Sequence, residues 1–254
     1  MAEFGTIRRA GSGVRTAEID VGLRAHMNKV YGLMSIAMVV TGAVAWVFGT
    51  DAANFVNNRP TGLIPAAMIE AIYFSPLRWV IMFAPLVMVF AMGAMVNRLS
   101  ESALQFFFYS FSAVMGLSIS WIFAVFTGMS IAQTFFITAI AFAGLSLWGY
   151  TTKKDISGWG SFLIMGVIGL IVASIVNIFL QSPAVMFAIS GLGVLIFAGL
   201  TAYDTQKIKN DYLMMRSQGG EAYLGKAAIM GALSLYLDFI NLFMFLLQFL
   251  GNRE

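Results

Sequence analysis

The sequence predicts an all-α polytopic membrane protein, and three observations carry that expectation. Of its 254 residues, 59% are hydrophobic and only 11% charged, less than half the roughly 25% charge that a water-facing exterior needs. The mean hydropathy, +0.84, points the same way. Seven apolar runs are close to the ~20 residues that a helix needs to cross ~30 Å of hydrocarbon at ~1.5 Å per residue. Backbone amides in lipid must be satisfied inside their own segment, and these runs are too long and too little alternating for barrel strands, so they are helices.

The first 29 residues carry five basic and three acidic side chains and no apolar stretch before Val30, which marks a cytosolic tail rather than a cleaved leader. The first span runs over Val30–Phe48. Gly49–Arg78, with Pro60, Pro65 and Pro76 around the apolar stretch Leu63–Phe74, reads as a loop with an interfacial helix, a short re-entrant segment being the alternative. Trp79–Val96 is the second span, and Pro85 within it removes a backbone bond and should bend it. Leu104–Phe126, Ile131–Tyr150, Ser161–Leu180 and Ala184–Tyr203 follow without a charge, and the seventh run, Ala227–Leu250, holds a single one, Asp238. Connections as short as Thr127–Ser130 and Gln181–Pro183 make sequential helices antiparallel neighbours. Residues 30–250 therefore form one transmembrane domain, with 251–254 as a short tail.

Lys and Arg concentrate on the cytosolic side of a membrane protein. With the N-terminus inside, the inner segments carry Arg8, Arg9, Arg15, Arg24, Lys29, Arg98, Lys153, Lys154, Lys207, Lys209, Arg216 and Lys226, and the outer ones only Arg59, Arg78 and Arg253. A re-entrant seventh run would return the C-terminus inside, and Arg253 alone does not separate the two topologies.

Composition excludes several function classes. The absence of cysteine removes disulfides, thiolate metal sites and a cysteine nucleophile. The single histidine, His26, leaves no pair to hold a haem between spans. No run contains a histidine for a serine intramembrane protease or a lysine for a retinal Schiff base. The formal charge of +3 punctuates apolar runs instead of forming a basic face, so the partner expected is the lipid bilayer and not nucleic acid.

An acid near the bilayer centre costs at least ~2.5 kcal/mol on insertion scales, which makes Asp238 a candidate functional residue. Ser234, Asp238, Asn241 and Gln248 recur at steps of four, three and seven, on one helical face. Such a polar stripe cannot face lipid, so the seventh helix should occupy the bundle interior. Ser234, Asn241 and Gln248 read as interhelical hydrogen-bond glue. The small and polar series Gln105, Tyr109, Ser112, Gly116 and Ser120, and the group Gly169, Ala173, Ser174 and Asn177, read as packing positions. Asp204 and Arg98 fall at the inner ends of the sixth and second runs. If the sixth helix ends at Ile208, Asp204 lies ~6 Å from its end and Asp238 ~16 Å from Ala227. On depth alone Asp204 is then a solvated helix-end acid, and an Asp204–Asp238 pair requires tilt, a later start to the seventh helix, or long side chains.

Three stretches carry a resemblance: Gly149-Tyr-Thr-Thr-Lys-Lys-Asp155-Ile-Ser157, Gly199-Leu-Thr-Ala-Tyr-Asp204-Thr-Gln-Lys-Ile208 and Leu233-Ser-Leu-Tyr-Leu-Asp238-Phe-Ile-Asn-Leu-Phe243. With them the chain, from about His26 to its end, resembles the bacterial branch of the Bax inhibitor-1 (TMBIM) family. The resemblance implies six helices around a central seventh. It implies that Asp204 and Asp238 form a hydrogen-bonded pair that senses pH and gates a calcium leak, and that Arg98 bonds the first of them in one state. Two neighbouring carboxylates disfavour double ionisation and share a proton. Its loss leaves repulsion and a site for a hard cation such as Ca²⁺, which favours carboxylate oxygens. Protons and Ca²⁺ are thus the small partners expected, with Ca²⁺ as permeant ion and Asp204 and Asp238 as its ligands, and no cofactor. Some relatives have a glutamate in the second span, where this chain has the apolar Val87. It also lacks the charged tail of eukaryotic members.

Two other functions compete. An intramembrane aspartyl protease also needs two aspartates sharing a proton, and Tyr203-Asp204 matches the first half of its signature. The second half, Gly-x-Gly-Asp, is absent, since Asp238 follows Leu235-Tyr-Leu. A non-conducting regulator of membrane proteases or other membrane proteins is the remaining alternative. The expectation is a pH-sensitive calcium leak and no enzyme.

Overall fold

The computed structural model describes the backbone of residues 3–252 and the side chains of residues 21–252. Arg8, Arg9, Arg15 and Arg253, which weigh in the charge count, lie outside the described side chains. Among the described residues there are eight α-helices and no β-strand: α1 (Glu3–Val56), α2 (Ala66–Tyr73), α3 (Leu77–Met95), α4 (Glu101–Ile119), α5 (Gly128–Thr151), α6 (Trp159–Leu180), α7 (Pro183–Ser217) and α8 (Leu224–Leu250). Every helix but α2 is long and apolar enough to cross a membrane, and each holds one of the seven apolar runs. The chain is a multi-pass membrane protein.

Helix α8 is the axis of the bundle. Of its most apolar window, 67% is buried, against 11–33% in the other spans. The difference follows from composition. The outer helices can turn Leu, Ile and Phe to lipid at no loss, whereas α8 carries Asp238 and must be covered. It packs on α1, α4, α5 and α7, while α3 leans on α4 and α6 on α7. Six spans thus surround the seventh in two tiers. The backbone N–H of Asn252 donates to Ser130 Oγ at 2.9 Å, and Asn252 O accepts from Thr127 N at 3.1 Å. The end of α8 is thereby tied to the start of α5, and α8 crosses as one continuous helix without re-entering.

Helix boundaries depart from the hydropathy boundaries where charged residues extend a helix. Helix α1 does not begin at Val30. Leu23, His26 and Met27 are already buried in the core, and the His26 ring lies 4.9 Å from that of Tyr212. The segment read as the end of a tail is therefore part of the packed bundle. Helix α7 likewise passes Tyr203 and Ile208 and ends only at Ser217. Between α1 and α3, the described residues form one short helix, α2, with Ile69 and Ile72 turned inward. Gly116 lets α4 approach α1 closely, since a Cβ there would meet the Thr41 carbonyl oxygen. Gly169 does not pack as expected: it is exposed, with nothing within 4 Å.

Asp51, which no spacing in the sequence singles out, clasps the loop before α2. Its carboxylate accepts the backbone N–H groups of Gly62, Leu63 and Ile64 at 2.7, 2.8 and 2.7 Å, and only 4% of the residue is exposed. Removing the acceptor strands three donors, each worth ~1–3 kcal/mol if left unpaired and less where water replaces the acid. Asp51→Ala is expected to cost about 2 kcal/mol in thermal unfolding and to accelerate amide exchange at Gly62–Ile64. Unchanged exchange there would show that the loop is held by other contacts.

Candidate functional site

The centre of the bundle is built by α7 and α8, joined by residues 218–223. From Asp204 to Ser217 is thirteen residues along α7, and from Leu224 to Asp238 fourteen along α8. At ~1.5 Å per residue both aspartates stand about 20 Å from the connection, and so face each other at one level. The depth expectation fails for this reason: it ended α7 at its charges, whereas the helix carries Lys207, Lys209 and Asp211 two further turns and more. Asp204 is no solvated helix-end acid.

The Asp204 and Asp238 carboxyl groups approach each other closely enough to hydrogen-bond. Two carboxylates offer only acceptors, so such a bond needs a proton between them. Asp238 is 4% exposed, and its Oδ2 has no hydrogen-bond partner. Asp204 is half-buried and lines a cavity of about 350 Å³ between α1, α7, α8 and the end of α3. The charged and titratable groups around that cavity are His26 of α1, Lys207 and Asp211 of α7 and Lys226 of α8, with Tyr212 and Tyr223. Lys207 and Asp211 follow Asp204 at three and seven residues, on its own helical face, a spacing that could have flagged them. On the other side of Asp238 the interior is apolar, with Phe239 and Phe243 packed edge-on against Phe135. The pair is therefore reached from one end of the bundle and sealed from the other.

The remaining candidate residues divide. Ser234 lines the cavity. Gln248 accepts from Ser190 Oγ at 3.2 Å and joins α8 to α7, as glue should. Asn241 turns back to its own helix and donates to the Leu237 carbonyl at 2.8 Å. Arg98 is exposed and makes no ion pair with Asp204 in this conformation. Its neighbour Asn97 lines the cavity instead, and Lys207 is the cation facing Asp204.

The motif segments converge on this site, for reasons that spacing alone does not reveal. Gln206 Oε1 accepts the Ile156 N–H at 2.9 Å and its Nε2 donates to the Lys154 carbonyl at 2.8 Å, so the loop after α5 is docked on α7 beside Asp204. In that loop the Ser157 backbone N–H and hydroxyl hold the exposed Asp155 carboxyl below its usual pKa. Tyr31 OH and Ser146 Oγ are 2.6 Å apart, and Ser146 Oγ is 2.9 Å from Thr205 Oγ1, linking α1, α5 and α7. A second link, Thr41 Oγ1 to Tyr236 OH at 2.6 Å and to the Ser112 carbonyl at 2.8 Å, fixes α8 against α1 and α4. Among the described residues no three or more His, Cys, Asp or Glu side chains gather as a metal cluster.

The family model described as Inhibitor of apoptosis-promoting Bax1 matches residues 23–254. The chain belongs to the Bax inhibitor-1 family. A Caulobacter vibrioides protein without an assigned role is 49% identical over 93% of this chain and 92% of its own length. The Escherichia coli inner membrane protein YbhL is 43% identical, over 92% and 94%. The Lactococcus lactis protein YrjE is 37% identical over 92% and 94%.

Proposed function

We propose that this protein is a pH-sensitive calcium leak of the bacterial inner membrane, gated by the Asp204–Asp238 pair, and not an enzyme. The observation that carries the proposal is the contact of two carboxyls at one level of the bundle, one reached from an open cavity and the other sealed. While they share a proton the pair holds α7 to α8 and the apolar interior beyond Asp238 stays shut. Loss of the proton leaves two like charges in contact, which repel and create an oxygen site for a hard divalent cation. Flux then rises with pH. Asp204 and Asp238 would be transient Ca²⁺ ligands on the route of the permeant ion rather than a resident metal site. The relative named an inner membrane protein supports that location, and the charge count among the loops supports a cytosolic N-terminus, the orientation in which the cavity would open to the cytosol.

In proteoliposomes loaded with a calcium indicator, the parent protein is expected to pass Ca²⁺ several-fold faster at alkaline than at acidic pH. Absence of flux at any pH would favour a non-conducting regulator of membrane proteins. Arg98 is proposed as a latch that competes with the cation in another conformation, in which the end of α3 swings over the cavity that Asn97 already lines. Arg98→Ala should then raise flux at acidic pH, and flux no higher than the parent's rejects the latch.

A further inference from the structure

The backbones of α1 and α5 stay apart, and the Tyr31–Ser146 bond reaches across the gap. Between them lies a cleft of about 920 Å³, more than twice the volume at the aspartates, whose floor includes Phe239 of α8. Its lips are outward-facing: Val39 is 71% and Leu147 63% exposed, so on a membrane-spanning surface the cleft opens sideways into hydrocarbon. As the first and fourth of the successive spans the two helices run antiparallel, and this sorts the lining by chemistry. Arg24, Asn28, Tyr31 and Tyr150 gather at one end, whereas Val39, Ala43, Phe135 and Ala139 line the other. From Tyr31 to Ala43 is twelve residues, about 18 Å of helix, close to the ~15 Å of hydrocarbon in a single leaflet. Among the described residues, Arg24 has no ion-pair partner and no acid lines the cleft.

We infer that the α1–α5 cleft is a binding site for one membrane phospholipid, its acyl chain between Tyr31 and Ala43 and its phosphate at Arg24. Water is a poor occupant because the deep part offers it no polar partners. A cation route is disfavoured because none of the described lining residues is an acid. An amphiphile with an anionic head matches both the polarity gradient and the charge, and the bilayer supplies it at the open side. The site adjoins the carboxyl pair through its walls: Phe239 follows Asp238, and Ser146 bonds Thr205, which follows Asp204. Its existence does not depend on whether that pair gates calcium.

Native mass spectrometry of the full chain extracted in mild detergent tests the site. The parent is expected to retain one phospholipid per chain, and Ala139→Trp, which fills the deep end, and Arg24→Gln, which removes the cation, should each reduce occupancy at least fivefold. Val172→Trp, on the outward face of α6, should leave it unchanged. Equal occupancy in all four proteins, a bound detergent only, or a second copy of the chain cross-linked through the cleft would overturn the assignment. Should the substituted proteins fail to fold, the parent decides alone. In liposomes containing a phospholipid with a photoactivatable acyl chain, cross-links must concentrate at 34–43 and 135–143. An even spread over the outward faces of α3 and α6 would reject the site.

Discussion

Asp238→Asn is expected to fix calcium flux at a low level that no longer responds to pH. The amide has nearly the shape of the acid and, unlike a carboxylate, carries its own donors. It therefore keeps the bond to Asp204 that the shared proton makes in the parent, but it cannot ionise. Repulsion needs both charges, so Asp204→Asn should abolish the pH response as well, and the double substitution should add nothing further. This non-additivity separates a shared proton from two independent sensors, which would each remove part of the response. Folding is not at stake in either variant, because an amide is less costly to bury than an acid. The measurement is Ca²⁺ entry into proteoliposomes across the pH range, with monodispersity in detergent as the control for folding. A parent-like pH profile in both single variants would remove the pair from any sensing role. Loss of the response in one variant alone would leave a sensor made of a single carboxyl, with its neighbour merely structural.

The seven spans were legible because the solvent selects composition: a chain at 11% charge has nowhere else to put its apolar runs. The central place of the last helix was legible because Asp238 cannot face lipid. Helix ends were less so. Hydropathy stops where charges begin, but an α-helix does not, and α7 carries Lys207, Lys209 and Asp211 before its end at Ser217. That extension sets Asp204 level with Asp238, which the sequence alone could present only as a question. The links through Tyr31, Ser146 and Thr205, and through Thr41 and Tyr236, were not legible at all. A hydroxyl on an apolar helix is equally compatible with a bond to its own preceding turn, as Thr138 makes to the Thr134 carbonyl, and only the neighbour across the interface decides. Asp51 was illegible for a similar reason: its partners are backbone groups eleven to thirteen residues ahead, and these leave no mark in side-chain spacing.

Gly149→Leu is expected to abolish the folded protein, and Gly149→Ala to destabilise it by at least the upper end of the ~1–3 kcal/mol typical of overpacking. Gly149 is buried where α5 crosses α7, and a Cβ there would fall on the carbonyl oxygen, carbonyl carbon and Cα of Ala202. The obstacle is backbone, which cannot rotate away as a side chain could, so α7 as a whole must retreat. The residues displaced with it are those that build the site: Asp204, Thr205 with its bond to Ser146, and Gln206 with its hold on the loop after α5. Gly144, little more than a turn earlier on α5, supplies the control. It is exposed, and a Cβ added to it would meet nothing within 4 Å, so an alanine there replaces a poor helix former with the best one. Gly144→Ala should therefore leave the thermal midpoint unchanged or raise it. Equal midpoints for Gly149→Ala and the parent would mean that the α5–α7 contact yields without loss, and that Asp204 is positioned by α8 alone.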